Sequence, residues 1–389
     1  MEDYNERYCL CALNRIFGFE PKIALALVSN LGSASEAFRL PQKEIDTLLG
    51  PYSKHRGSVN PKAYEEAERE LTLLEEQEIR FIGISEDSYP PLLKECEDPP
   101  VGIYFRGTGD PGKTLCSKRN IAIIGTRDIS PYGREWCRRI VDSLSCTPER
   151  PVIISGLALG TDICAHEAAL EAGLPTIAVL PTGPDSIYPY RNRNIAEKMV
   201  RTPGCALITD YPPGTAPLAI HFLRRNRIIA GMSEATILIE SKLKGGGMMT
   251  SRLAHSYNRE VFALPGRIDD IRSQGCNNLI RSKIAEPIDS VDGLIDSLGM
   301  KLSGKTATRY DEEYLWALYS TRTDRKTTES ILNIFTAIRK ERGISLNELT
   351  SRTGIPYKEI SQVACLLEND GIISIDLMQR CTINMRKSR

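Results

Sequence analysis

The order of apolar and polar residues divides the chain into three regions. In residues 1 to about 78, apolar residues recur at helical spacing, as in "KIALALVSNLGSASEAF" (22–38) and "AYEEAERELTLLEEQEI" (63–79). This spacing is typical of amphipathic helices. The step "LVSNLGSASEAF" joins two such helices by a tight turn containing glycine. We therefore expect a small all-helical domain of the SAM or helix-hairpin-helix type, in which the turn more often serves packing than DNA binding.

From 79 to 299 the pattern changes to short, β-branched and nearly continuous apolar runs. They read "IAII" (121–124), "VIIS" (152–155), "TIAVL" (176–180), "ALIT" (206–209), "TILIE" (236–240) and "VFAL" (261–264). Continuous apolar runs of this length indicate buried parallel strands. Helical stretches separate most of them, so the sequence predicts an α/β fold: a Rossmann-like, doubly wound, mostly parallel sheet.

Residues 300–326 break this pattern and are expected to be a linker before a last domain at 327–389. There, one apolar helix is followed by a second helix that the capping box "SLNE" (345–348) opens, and then by a third helix and the hairpin-like "GIISIDLMQRCTINM". This order is typical of a winged helix. The third helix carries Lys358 against Glu359 and Glu368, so DNA binding and protein interaction are equally favoured for this domain.

Composition limits the class of protein. Lysine plus arginine equals aspartate plus glutamate at 50 each in 389 residues, so any nucleic-acid site must be a local patch. The eleven cysteines are scattered without a C-x-x-C pair, and no run of apolar residues is long enough to cross a bilayer. We expect a cytoplasmic protein with reduced thiols, without a metal site and without membrane association.

The stretch "GTGDPGKT" (107–114) matches the phosphate-loop pattern of ATPases. A working phosphate loop needs a strand before it and a helix of several turns after it, because the helix amides hold the anion. Here "LCSKRN" leaves six residues before the next apolar run. We therefore expect a polar turn between two strands rather than an ATP site.

Ligands of open parallel sheets bind beyond the carboxyl ends of the strands. Glycine and hydroxyl residues recur at these exits, in "GTRDIS" (125–130), "SGLALGTD" (155–162), "PTGP" (181–184), "TDYPPG" (209–214) and "SKLKGGGMMTS" (241–251). Bare backbone amides and a following helix dipole suit an anion. No G-x-G-x-x-G pattern follows the first strands, so a nicotinamide cofactor is disfavoured, and no other cofactor is indicated.

Positive charge concentrates near these exits. Arg224, Arg225 and Arg227 lie within four residues, Arg127 lies in the first exit, and Lys242 and Lys244 lie in the fifth. They could form a basic stripe for a single-stranded phosphate backbone, or pair with Glu240, Asp210 or Asp162. Asp162 and His166 share a helix face, which indicates packing more than general-base chemistry, and we assign no catalytic residue.

Several motifs together resemble the DprA/Smf family of DNA-processing proteins, over about residues 80–290. They are "IAIIGTRDISPYG", "VIISGLALGTDICAHEAALEAGLPTIAVLPTGPDSIYPYRN", "HFLRRNRIIAGMSEATILIE" and "REVFALPG" with "NNLI". The resemblance implies a cytoplasmic, usually homodimeric protein that is not an enzyme. It implies binding of incoming single-stranded DNA during natural transformation and delivery of that DNA to the recombinase RecA.

Carried over to this sequence, the resemblance implies a DNA-facing pocket with amides added by the glycine-rich loop. With the basic stripe, the expected DNA-binding residues are Gly125, Thr126, Arg127, Ser155, Gly156, Arg224, Arg225, Asn226, Arg227, Lys244, Gly245, Gly246, Gly247 and Thr250. The family usually has "SGSLIT" where this chain has "GGGMMT", so two hydroxyl contacts are absent. The alternatives are a nucleotide-binding or nucleotide-processing Rossmann-like enzyme, an ATPase and a winged-helix transcription regulator.

Overall fold

A computed structural model of the protein describes residues 4–117, 119–302, 312–341, 343–376 and 378–383. The chain divides into two compact units, Met1–Leu302 and Ser303–Arg389. A separate domain at 1–78 stays a prediction, because that segment lies within the first unit.

Five helices lie within residues 6–75, as the apolar spacing predicted. They are α1 (Glu6–Phe17), α2 (Pro21–Leu31), α3 (Ala34–Arg39), α4 (Gln42–Leu49) and α5 (Pro61–Glu75). Leu10, Leu13 and Phe17 of α1 are buried in one core with Phe81 and Tyr104. The last two side chains belong to the first two strands, so the helices are packed on the edge of the sheet.

One sheet organises the first unit. Its strands are β1 (Ile79–Gly83), β2 (Gly102–Arg106), β3 (Asn120–Ile124), β4 (Val152–Ser155), β5 (Thr176–Val179), β6 (Ala206–Thr209), β7 (Ala235–Leu238), β8 (Glu260–Ala263) and β9 (Glu286–Pro287). Their order across the sheet is β1-β2-β6-β5-β4-β3-β7-β8-β9. In this spatial order, all strands from β6 through β3 to β9 are parallel to one another, whereas β1 and β2 are antiparallel to the strands beside them. The predicted mostly parallel sheet is confirmed.

Both faces of the sheet are covered by helices, which is why its central strands are predominantly apolar. The helices are α6 (Pro91–Lys94), α7 (Pro111–Leu115), α8 (Pro131–Ser145), α9 (Thr161–Glu171), α10 (Arg193–Arg201), α11 (Ala219–Gly231), α12 (Gly246–Ser256), α13 (Gln274–Arg281) and α14 (Val291–Ser297), with a 3₁₀ turn at Tyr190–Asn192. Ile121 and Ile123 of β3 pack with α8 and α9 on one face. Ala122 and Ile124 pack with α11 and α12 on the other.

The phosphate-loop pattern "GTGDPGKT" does not lie at the end of the sheet where ligands of parallel sheets bind. It follows β2, which is antiparallel to β6, so it lies opposite the carboxyl ends of the parallel strands. The expected polar turn is in part the short helix α7, whose N-cap Asp110 accepts a hydrogen bond from the amide of Gly112 at 2.9 Å. Thr114 is buried and donates to the carbonyl of Asp110. The Gly112 amide and the Thr114 hydroxyl are thus used inside the loop itself.

The second unit contains four helices and three short strands among its described residues. They are α15 (Glu312–Tyr319), α16 (Arg325–Lys340), β10 (Ile344–Ser345), α17 (Leu346–Thr353), α18 (Tyr357–Asn369), β11 (Ile373–Ile375) and β12 (Arg380–Ile383). β11 and β12 form the predicted hairpin, and β10 pairs with β12. The predicted capping box is present, since Ser345 and Glu348 bond reciprocally at the start of α17.

The predicted linker at 300–326 is only partly irregular. It contains α15, whose Leu315 and Tyr319 are buried in the core of the second unit. The Tyr319 hydroxyl donates to Asp370 at 2.6 Å, just after α18. Charged and polar residues around this short apolar stripe concealed it in the sequence. Residues 303–311 lie outside the described part.

The turn between α2 and α3 is closed by an internal carboxylate. Gly32 adopts the left-handed conformation at φ +87°, which favours glycine. The amides of Ala34 and Ser35 then donate to the two carboxylate oxygens of Glu6, each at 2.8 Å. These are donors that a helix-hairpin-helix turn could offer to DNA phosphate. In this protein they serve packing.

Replacing Glu6 by alanine should destabilise the first unit. The substitution removes two hydrogen bonds to a charged acceptor, each of a kind worth roughly 1.5–3 kcal/mol when buried. Because Glu6 is only half-buried, we expect a loss of about 2 kcal/mol in the free energy of unfolding, measured by urea titration. Glu44→Ala, an exposed carboxylate in the first turn of α4, is the matched control. Equal stability of the two variants would contradict the assigned role of Glu6.

Candidate nucleic-acid interface

A crevice lies at one end of the sheet, at the point where the helices that follow neighbouring strands lie on opposite faces. β3 lies between β4 and β7. The chain leaves β3 for α8 on one face and leaves β7 for α12 on the other. The two loops diverge, so a crevice forms beyond the carboxyl ends of these strands. The predicted glycine-rich exits meet there.

Arg225 lies at the bottom of this crevice. Its side chain extends from α11, is 97% buried, and donates from Nη1 to the carbonyl of Val179 at the end of β5. The backbone at Gly156 leaves the space for it, because a Cβ there would lie 2.0 Å from Nη1 of Arg225. Only a residue without a side chain permits this approach.

The charge of Arg225 is incompletely compensated. Among the described residues no carboxylate forms an ion pair with it, and its Nε has no hydrogen-bond partner. Burial lowers the pKa of Arg225 to about 10, and the charge of Asp162 opposes that shift. Burial also raises the pKa of Asp162, against the effect of Arg225. Arg225 remains a cation at neutral pH, and a further anion would stabilise it.

The loops that follow β3 and β4 are joined by hydrogen bonds to a main-chain carbonyl. The carbonyl of Thr126 accepts from the amide and the hydroxyl of Thr161, at 3.0 and 3.2 Å. Gly125 is held close, since a Cβ there would lie 2.5 Å from Oγ1 of Thr161. Gly160 has φ +82° and would clash with the Thr126 carbonyl if it carried a side chain. This rim of the crevice is rigid.

Arg127 lies on the rim, exposed to solvent. Its guanidinium lies 4.9 Å from the ring centroid of Phe222, and Tyr188 contacts that ring edge-on at 5.6 Å. Within the described part of the chain Arg127 makes no ion pair. Phe222 and Tyr188 were not among the residues expected from the sequence, although the interleaving of aromatic and basic residues in "HFLRR" was an available signal for Phe222.

The glycine-rich loop ends at the start of α12. Gly245 is the N-cap, and no acceptor in the described residues takes the amides of Gly246 or Gly247. These free donors and the helix dipole favour an anion. Lys244 is exposed beside them. Thr250 is buried and donates to the carbonyl of Gly246 at 3.3 Å, so its hydroxyl serves the helix instead of facing the crevice.

The other basic residues of α11 point elsewhere. Arg227 is buried and bonded to Asp210 at 2.5 Å, one of the ion pairs considered from the sequence. Arg224 donates to the carbonyl of Phe19 at 3.2 Å and lies over its ring at 4.3 Å. Successive helical residues are separated by 100°, so these arginines cannot share one face with Arg225. Asn226 is also buried.

Ser155 is likewise turned inward, because it is fully buried and its hydroxyl donates to the carbonyl of Ile123 at 2.6 Å. The remaining candidates lie at the exits of the parallel strands, with Arg127, Lys244 and Gly246 exposed and Gly156 and Gly247 buried. They are the backbones of Gly125, Thr126, Gly156, Gly245, Gly246 and Gly247 and the side chains of Arg127 and Lys244. We call this set, with Arg225, the switch-point pocket. The side chains of Ser155, Arg224, Arg227 and Thr250 bond within the protein, and their expected contact with DNA stays a prediction.

His166 is not paired with Asp162. It is fully buried, and its Nδ1 lies 2.7 Å from the hydroxyl of Thr176, which itself donates to Ile153. Burial, assisted by the charge of Arg225, lowers the pKa of His166 to about 3. The ring is therefore neutral under ordinary conditions and packs as part of the core, as expected.

No group of three or more His, Cys, Asp or Glu side chains in the described part of the chain could hold a metal ion. No helix there has the length and apolar character needed to span a bilayer.

Comparison with known proteins places these motifs in a family. The family model of DNA recombination-mediator protein A matches residues 80–299. Protein Smf from Synechocystis sp. is 35% identical over 257 residues, which is 66% of this chain and 61% of that protein. The aligned region thus spans less than two thirds of this relative's length.

Solved structures agree with the fold. The crystal structure of DNA processing protein A (DprA) from Streptococcus pneumoniae matches with a TM-score of 0.62 at 28% identity, covering 76% of this chain and 98% of that one. DNA processing protein A from Helicobacter pylori, whose structure was reported for its single-stranded DNA binding mode, matches with a TM-score of 0.50 at 31% identity, covering 56% and 95%. The resemblance found in the sequence is confirmed. The chain belongs to the DNA recombination-mediator protein A family, that of the DprA and Smf proteins.

Proposed function

We propose that this protein binds single-stranded DNA through the switch-point pocket. The observation that carries the proposal is the buried guanidinium of Arg225, which lacks an ion-pair partner among the described residues and lies against the bare backbone of Gly156. A buried cation without full compensation is unfavourable, and a phosphate oxygen would supply the missing charge. The binding mode of the Helicobacter pylori relative supports this choice of ligand.

The contacts in the pocket suit a phosphate backbone better than a particular base. Arg127 and Lys244 supply exposed charge, and Gly246 and Gly247 supply free amides at a helix N-terminus. Contacts to phosphates position a strand but carry no base sequence. Affinity should therefore depend strongly on salt and weakly on sequence.

In the cell, the proposed role is in DNA processing during natural transformation. The protein would protect incoming single strands and deliver them to RecA as a cytoplasmic homodimer. The family membership supports this role, and some of the motifs that carry the resemblance contain pocket residues, such as Arg127, Gly156 and Arg225. We further propose that the helices before residue 78 form a SAM or helix-hairpin-helix-like domain and that the second unit is a winged helix. We propose binding rather than catalysis, since His166 lies against the Thr176 hydroxyl and burial lowers its pKa to about 3.

Arg127→Ala/Arg225→Ala should weaken single-strand binding at least about tenfold for all base sequences. The variant loses two cations, so the slope of log affinity against log salt should become less steep by about 1.4, at about 0.7 per phosphate contact. Fluorescence anisotropy with labelled single-stranded and duplex DNA of one length measures both quantities.

Arg224→Ala is the matched control, because this neighbour on α11 bonds to Phe19 outside the pocket. Its affinity should equal that of the wild type. Unchanged binding by the folded double variant, or equal affinity for duplex DNA, would refute the proposed site.

Gly156→Ala should mimic the loss of Arg225. The new Cβ would overlap Nη1 of Arg225, so the guanidinium must leave its position. We expect single-strand affinity to fall as far as in Arg225→Ala, with a destabilisation of roughly 1–3 kcal/mol from overpacking.

The double variant Gly156→Ala/Arg225→Ala tests whether the two residues act as one unit. Its affinity should be no lower than that of Arg225→Ala, since the alanine then has nothing to displace. Additive losses in affinity would mean that Gly156 acts independently of Arg225.

A further inference from the structure

An apolar groove lies beside the switch-point pocket. It runs between the first turns of α11 and α12 and has a volume of about 520 Å³. Met248 and Leu253 form its floor, and Leu223, Leu243 and Met249 form its walls. We call these five residues, with Lys244 and Arg252 at the rim, the apolar groove.

The walls of this groove are unusually exposed for large apolar side chains. Leu223, Leu243 and Met249 are 41%, 51% and 40% exposed, and Leu218 and Ile220 at the start of α11 are 56% and 47% exposed. Exposed large apolar side chains gathered in one groove are a feature of surfaces that bind a ligand or partner.

The charge at the rim indicates what covers it. The lining includes the cations Lys244 and Arg252 but no carboxylate. Lys244, Gly245 and Gly246 belong to both the groove and the anion-binding loop, so the two sites are continuous. A strand whose phosphate lies on the α12 amides would have its adjoining base within reach of the apolar walls.

Nucleobases fit this surface chemically. Their faces are apolar and are bound in proteins by aromatic or aliphatic side chains, without regard to base identity. A volume of about 520 Å³ is within the usual range for small-molecule sites, roughly 300–1,000 Å³. A second protein chain would instead need an apolar segment with acidic flanks to match the rim.

We propose that the apolar groove receives bases of the single strand whose phosphates occupy the switch-point pocket. This inference rests on the proposed function and adds a second, base-dependent component to it. The groove takes any base, so it distinguishes unpaired from paired DNA rather than one sequence from another. In a duplex, the bases are stacked inside and cannot enter it.

The test compares two labelled strands of equal length at one salt concentration. One is oligo-dT, and the other is its abasic counterpart with the same number of phosphates. The wild type should bind oligo-dT at least about fivefold more tightly, which is the lower end of the range for one stacked base. Leu223→Ala/Met249→Ala should bind both strands with the affinity that the wild type has for the abasic strand.

Leu48→Ala/Leu73→Ala is the control, since these leucines are similarly exposed on α4 and α5. It should keep the wild-type preference. Because Leu223 and Met249 are exposed, the groove variant should melt at nearly the wild-type temperature.

Equal affinity of the wild type for the two strands would overturn the base-binding role while leaving the phosphate pocket intact. Retention of the preference by the groove variant would do the same. A groove variant that changes the sedimentation coefficient of the free protein but keeps the preference would show that the groove is a protein interface. Failure of the proposed function is distinguishable, because Arg225→Ala would then leave binding of both strands unchanged.

Discussion

The approach of the Arg225 guanidinium to the backbone of Gly156 is the constraint on which the site depends. It places a cation beneath the ends of β4 and β5, where a side chain at Gly156 would exclude it. The same crowding applies at Gly125 and Gly160, which hold the β3 and β4 exits together. The pocket is thus made largely of backbone, and the buried cation at its bottom, Arg225, comes from α11.

The central sheet could be predicted from the sequence because its strands are buried on both faces. Runs such as "IAII" and "VIIS" have no polar alternation, and the observed β3 and β4 contain these runs. Shorter elements were harder to predict. α7 has five residues and depends on one capping carboxylate, while α15 lies in a segment rich in charged residues.

The location of the pocket was also predictable, since glycine-rich exits must meet at one edge of a parallel sheet. The roles of individual side chains were not. The three arginines of "RRNR" look equivalent in sequence, yet helical rotation directs Arg225 to the pocket, Arg227 to Asp210 and Arg224 to Phe19. The spacing of the three arginines determines that they point in different directions from the helix. It does not determine which of them points toward the sheet. Main-chain donors also explain how "GGGMMT" can replace a loop with hydroxyl groups.

The bonds that join Thr126 to Thr161 affect the thermodynamics of recognition. They fix two of the loops around the pocket when the protein folds, so little conformational entropy of the backbone remains to be lost there on association. In the proposed complex the ordering cost would fall mainly on the nucleic acid, which is flexible when unpaired. Association would then be favoured because this part of the binding surface is already ordered in the free protein.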